Sequence, residues 1–165
     1  MVCKVKNFVC YCLLAALPIL GCGEPEIESP QAIGEKNRTA IIEGSEAGES
    51  IDQLHGLSVA AKANLIAEYG DDQNKKDLLY ISDCETGDAA KQAFDLMTEK
   101  IAHATDGPFY HVMPLKAYDG KAFITLGMGA THYIFLSGRF LIWYQTYQSL
   151  GPKIPEVLTE MYPVN

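Results

Sequence analysis

The side chains that could perform nucleophilic chemistry centre on Cys84, which stands between two carboxylates, Asp83 and Glu85. A histidine beside this cysteine would act as a base that takes the thiol proton. Neighbouring negative charges, however, raise the pKa of a thiol and reduce the fraction of reactive thiolate. Cysteine is also among the residues most often buried. We therefore expect a buried, inert Cys84, and we keep an enzyme built around Cys84 and a histidine as the alternative.

A metal site would have to combine histidines with nearby carboxylates, and the candidates are His103, His111, His132, Asp83 and Asp106. No two of these histidines lie at i, i+2 or i, i+4 on one element, so their spacing matches no known ligand pattern. The sequence also lacks the nucleophile-elbow, zinc-protease, phosphate-loop and dinucleotide-binding motifs. We therefore predict no catalytic residue, no metal and no cofactor.

The strongest chemical pattern lies at the amino terminus. Lys4 and Lys6 precede a charge-free apolar stretch over residues 8–20. This length suits the hydrophobic region of a signal peptide and falls short of the roughly 20 residues needed to cross a bilayer. The stretch ends in Ile19-Leu20-Gly21-Cys22, which resembles the lipobox of bacterial lipoproteins.

The resemblance implies that residues 1–21 are a signal peptide, cleaved between Gly21 and Cys22, and that the Cys22 sulfur carries lipid. Several acyl chains would hold the protein stably, because each buried methylene contributes about 0.8 kcal/mol. The chain would then face outward from the cytoplasm. Residue 23 is Gly and not Asp, which implies the periplasmic side of the outer membrane in a host with two membranes. An ordinary secretory signal or an uncleaved anchor is the alternative.

Charge argues against nucleic acid as a partner. The whole chain has a formal charge of −8, and removal of the signal peptide leaves 11 basic and 21 acidic side chains, a formal charge of −10. Such a field repels polyanions, whose binding depends on neutralised phosphates. The expected partners are the membrane, through the lipid, and an envelope protein or peptide.

Residues 22–49 are predicted to form a lipidated, flexible, acidic tether. Seven glutamates alternate there with proline and glycine, and apolar residues are sparse. Residues 39–42 alone have the composition of a short strand. The tether would lift the following domain clear of the lipid headgroups.

Residues 50–165 are predicted to form a single α+β domain. A capping box at Ser50 and Gln53, followed by apolar residues at helical spacing as far as Tyr69, predicts a first helix. A short strand is expected over 78–82. Two further helices are expected over 87–103, capped by Thr86 or Asp88, and over 153–161.

The segment from 109 to 147 alternates with a period of two and is broken by three turns, of which Asp119-Gly120 is the clearest hairpin motif. It predicts a meander of four antiparallel strands, at 109–118, 121–127, 131–137 and 140–147. The predicted architecture is a four- to five-stranded antiparallel meander sheet packed with three helices.

Alternation along these strands assigns their side chains to two faces. One face carries Ala122, Ile124, Tyr133, Phe135, Ile142 and Tyr144, and the other carries Phe123, His132, Ile134, Leu136, Leu141 and Trp143. The second face is too apolar to be left exposed to water. Either helices cover both faces, or Phe123, Ile134, Leu136 and Trp143 form part of an interaction surface.

These patterns favour a membrane-anchored envelope lipoprotein whose domain binds a protein, a peptide or a small apolar ligand without catalysis. The enzyme around Cys84 is the first alternative. A structural domain that braces an envelope complex, with no ligand of its own, is the second.

Overall fold

The structure, a computed structural model, describes residues 27–55, 60–70, 75–104, 106–148 and 151–165. The predicted signal peptide, Gly21 and Cys22 lie outside these ranges, so lipidation of Cys22 stays a prediction. Within the described ranges, no helix has both the length and the apolar character needed to cross a membrane.

The described residues form one antiparallel sheet and three helices, which confirms the α+β class and the number of helices. The strands are Ala32–Ile33 (β1), Lys36–Glu43 (β2), Ala63–Tyr69 (β3), Asp77–Asp83 (β4), Phe109–Pro114 (β5), Ala122–Gly127 (β6), Ala130–Ser137 (β7) and Phe140–Thr146 (β8). The helices are Gly44–His55 (α1), Gly87–His103 (α2) and Glu156–Met161 (α3). The predicted four to five strands were too few, since the sheet has eight and curves into a half-barrel.

The strands lie in the order β1-β2-β3-β4-β8-β7-β6-β5. The predicted meander is confirmed as β5 to β8, and β8 pairs with β4 to join it to the first half of the sheet. The predicted hairpin at Asp119-Gly120 is wider than expected. β5 ends at Pro114, and a 3-10 turn over Lys116–Tyr118 precedes the two residues, both of which have positive φ.

The predicted flexible tether is wrong for residues 27–49. This segment contains β1, β2 and the first turns of α1, and β2 pairs with β3 from Arg38 to Glu43. The Lys36 ammonium also lies 2.8 Å from the buried carboxylate of Asp77 on β4. The segment is therefore ordered by contacts with residues that are distant in the sequence. Its own composition, rich in glutamate and glycine, does not reveal these contacts.

The predicted helix over 51–69 is wrong in its second half. α1 ends at His55, and residues from Ala63 onward form β3. β3 lies between β2 and β4 and is buried on both faces, with Leu65 and Tyr69 on one face and Ile66 on the other. A strand of this kind lacks polar alternation, so its apolar residues also fit a helical spacing.

Two cores lie on opposite faces of the sheet, and the predicted assignment of side chains to faces is confirmed. On the first face, Tyr133, Phe135, Ile142 and Tyr144 pack with residues of α3, the segment before it and Ile33. The second face packs against α1 and α2. The four residues considered as an interaction surface lie in this second core and are buried, so they do not form an exposed surface: Phe123, Ile134, Leu136 and Trp143.

Candidate apolar binding site at Trp143

Trp143 and His132 form a hydrogen-bonded pair in the second core. Trp143 lies on β8 and His132 on the adjacent β7, and each is at most 1% exposed. The indole Nε1–H donates to His132 Nδ1 at 2.9 Å. An indole nitrogen is only a donor, so Nδ1 must be the acceptor and Nε2 must carry the proton. Nε2 then donates to the Gly127 carbonyl at 3.0 Å.

His132 is therefore held as a neutral ring with both nitrogens engaged. Burial lowers the pKa of His132, and the hydrogen bond to the Gly127 carbonyl opposes this effect only in part. A ring in this state has no free nitrogen with which to take a proton from a substrate. Its role in the geometry is to orient Trp143.

Phe109 completes the aromatic cluster at the start of β5. Its ring centroid lies 5.0 Å from that of His132 and 5.2 Å from that of Trp143, both in edge-to-face geometry. This packing requires glycine at position 127, because a Cβ there would come within 2.4 Å of the Phe109 ring. The ring of Phe109 therefore lies directly against the backbone of β6.

A cavity of about 300 Å³ opens between α1, the C-terminal end of α2 and this aromatic cluster. Its apolar lining includes Leu54, Met97, Ile101, Pro108, Phe109 and Trp143. The polar side chains along it are those of Gln53 and Lys100, which are exposed and so lie at the opening. The cavity can enclose an apolar group, and it places two hydrogen-bond donors near its entrance.

The helices position this site for reasons visible in the sequence. The Thr86 hydroxyl accepts a hydrogen bond from the amide of Ala89 and so caps α2, as predicted. Apolar residues at helical spacing then turn Phe94, Met97 and Ile101 toward the sheet. Of the four residues predicted as an interaction surface, Trp143 lines the cavity, while the other three belong to the packed core beside it.

Among the side chains that the structure describes, none activates the Cys84 thiol of the alternative site. Burial, and secondarily the charge of Asp83, raise the pKa of the Cys84 thiol to about 11. Its Sγ lies 3.9 Å from the Ser82 carbonyl oxygen. His132 already uses both ring nitrogens elsewhere, and His103 and His111 are exposed, whereas Cys84 is buried. The carboxylate of Asp83 pairs with Arg139 at 2.7 Å.

A second polar cluster surrounds Asp77, and the sequence analysis missed it. The Asp77 carboxylate is 1% exposed and accepts hydrogen bonds from Tyr144 Oη at 2.7 Å and Thr146 Oγ1 at 2.9 Å, in addition to Lys36. The backbone amide of Tyr147 supplies a fourth donor at 3.3 Å. All the partners come from other strands or from the end of β8, which explains why spacing in the sequence gave no indication of the cluster.

Four donors bind both Asp77 oxygens, and through them the carboxylate links β2, β4 and β8. With both oxygens engaged in this way, Asp77 is not placed to act as a base toward a substrate. Among the residues that the structure describes, no group of three histidine, cysteine, aspartate or glutamate side chains is arranged to hold a metal ion. Two larger cavities, of about 600 Å³ beside Lys75 and Tyr147 and of about 430 Å³ beside Asp77 and Ile154, have more polar linings. The cavity at Trp143 has the most apolar lining of the three and is the one best suited to an apolar ligand.

No family model, curated protein or solved structure matches this chain. The site must therefore be interpreted from its own geometry.

Proposed function

We propose that the chain is a lipid-anchored envelope protein whose domain binds a small apolar molecule in the cavity at Trp143, without catalysis. The lipobox-like run that ends at Cys22 supports the anchor. The cavity beneath α1 and α2 supports the binding function and is the observation that carries it.

The size and lining of the cavity favour this function. Small-molecule sites are concave, mostly apolar and about 300–1,000 Å³ in volume, with a few polar groups that fix orientation. A cavity of about 300 Å³ lies at the small end of that range. It suits a single apolar or aromatic group and leaves little room for a polar substrate with its hydration shell.

The entrance indicates one further property of the ligand. Gln53 and Lys100 line the entrance, where the amide group of Gln53 is a hydrogen-bond donor and Lys100 carries a positive charge. A ligand with an apolar body and one acceptor group, such as a carboxylate or sulfonate, would place its body against Trp143 and its acceptor at the entrance.

Binding can be tested with an anilinonaphthalene sulfonate dye, which has an apolar body and one sulfonate. Trp143 is the single tryptophan and lines the cavity, so energy transfer from it should detect dye bound there, and paired variants distinguish this site from others on the domain. Ile101→Phe should fill part of the cavity and weaken dye binding. Leu96→Phe is the matched control, because Leu96 lies on the same helix, is half exposed and does not line the cavity. Equal binding by both variants and the unaltered chain would contradict the proposal.

The anchor is tested separately in a bacterial host. The Cys22→Ser variant should accumulate as an uncleaved precursor that takes up no labelled palmitate. Processing and release of that variant as a soluble domain would show an ordinary secretory signal instead.

A further inference from the structure

The segment between the proposed lipid on Cys22 and the first described residue, Ile27, is short. Ile27 already packs against the first core. Arg38 donates to the Ser29 carbonyl at 2.6 Å, and Tyr69 Oη donates to the Pro30 carbonyl at 2.9 Å. The Tyr162 hydroxyl at the end of α3 donates to the Glu28 carbonyl. The first described residues, from Ile27 onward, are therefore fixed beside α3.

Five residue steps separate Cys22 from Ile27. A fully extended chain covers at most about 3.6 Å per residue, so this link spans no more than about 18 Å. A domain of this size is roughly 35 Å across. The point at which the chain enters the domain must therefore lie in the half of the domain nearer to the membrane.

The binding cavity lies on the other face of the sheet. Ile27 and Leu158 of α3 pack on the first core, whereas the cavity-lining residues Met97, Phe109 and Trp143 belong to the second. The entry point can lie no more than about 18 Å from the lipid headgroups, about half the width of a domain roughly 35 Å across. A domain that presents its first face to the membrane therefore turns the opposite face of the sheet, and the cavity on it, away from the headgroups.

We propose that the anchored domain rests with its α3 side toward its own membrane and holds the Trp143 cavity on the side facing away. This inference rests on the proposed lipidation of Cys22. Exposed glutamates on the α3 side, Glu28, Glu156 and Glu160, suit a zwitterionic headgroup layer, because an anionic surface would repel them. The ligand then reaches the cavity from the aqueous compartment and not from the bilayer that holds the protein.

The orientation can be measured with the lipidated full chain in phosphatidylethanolamine–phosphatidylcholine vesicles. A bimane fluorophore is attached at Glu160→Cys on α3 or at Leu96→Cys on α2, each in a Cys84→Ala background. Both positions are exposed. A headgroup nitroxide lipid, which quenches only over short distances, should strongly reduce the emission at position 160 and leave that at position 96 unchanged.

Two further measurements separate the possible failures. Mass analysis of the amino-terminal peptide establishes whether Cys22 carries lipid; without lipid, both the anchor and the orientation are contradicted. With lipid present, equal or stronger quenching at position 96 would overturn the orientation alone. An insertion of 20 Gly/Ser residues after Gly23 should reduce the difference between the two positions, because it adds a flexible span of about 25 Å.

Discussion

The indole N–H of Trp143 donates to His132 Nδ1 at 2.9 Å, and His132 Nε2–H donates in turn to the Gly127 carbonyl. This chain of hydrogen bonds links β8, β7 and the end of β6 beside the mostly apolar second core, and buried Thr125 and Gln145 flank His132 on the neighbouring strands. The indole N–H and both ring nitrogens of His132 are engaged in it, so the cost of burying them is offset while these bonds stay intact.

Replacing Trp143 should separate its packing from its hydrogen bond. Trp143→Ala removes a buried aromatic side chain and should lower the free energy of unfolding by about 3–5 kcal/mol. Trp143→Phe keeps much of the ring but leaves His132 Nδ1 without its donor, a loss of about 1–3 kcal/mol. Urea denaturation of the two variants measures both values. In the unaltered chain, blue-shifted tryptophan emission that iodide quenches poorly would agree with 1% exposure. Equal stability of the Phe variant and the unaltered chain would contradict the structural role of the hydrogen bond.

The same pair should make the domain sensitive to acid. Burial lowers the pKa of His132 in the folded state, so below about pH 6.5 the unfolded chain binds a proton that the folded chain resists. Stability is therefore fully present above that pH and falls as the pH decreases toward the lowered value, by up to about 1.4 kcal/mol per pH unit.

The matched variant for this prediction is His132→Gln, which does not titrate. Urea denaturation at pH 7.5 and 5.5 should show a larger loss of stability for the unaltered chain than for the variant. The variant should itself be less stable at pH 7.5, since an amide does not reproduce both ring contacts. Parallel pH dependence of the two proteins would show that His132 is not the titrating group.

The Lys36–Asp77 pair should stabilise the domain much more than a surface ion pair does. Asp77 is buried and receives four donors, so Asp77→Ala should cost about 3–5 kcal/mol. Lys36→Met should cost less, because three donors to the carboxylate remain. The control is Lys91→Met, which breaks the exposed Lys91–Asp95 pair on α2 and should change stability by less than about 1 kcal/mol. Thermal unfolding of the three variants gives the comparison, and a small effect of Asp77→Ala would contradict the proposed role of the cluster.

Local patterns predicted the parts of the fold that short-range chemistry decides. Thr86 and the apolar spacing that follows it predicted α2, and the turns between β6, β7 and β8 predicted the register of these strands. The register determines the faces, so the sequence alone predicted that Trp143 and His132 lie on one side of the sheet.

The errors came where distant partners decide the structure. β2 alternates half-buried and exposed residues within a glutamate-rich segment, and it is ordered by pairing with β3 and by the contact between Lys36 and Asp77. The cavity could not be predicted from the sequence, because it depends on how α1 and α2 lie over the sheet. Composition identified the apolar face that lines it but not the space left between the helices.

Cys84 should behave as an inert core thiol and not as a nucleophile. Burial raises its pKa to about 11, so at pH 8 nearly all of it is protonated as well as shielded. In the full chain with serine at the other four cysteines, an aromatic disulfide reagent should react with Cys84 far more slowly in the folded protein than in urea. Cys84→Ala should remove this reaction, cost only a modest packing loss of about 1–2 kcal/mol, and leave dye binding at Trp143 unchanged. Rapid labelling of folded protein at pH 8 would show an accessible thiolate and would return the enzyme around Cys84 to consideration.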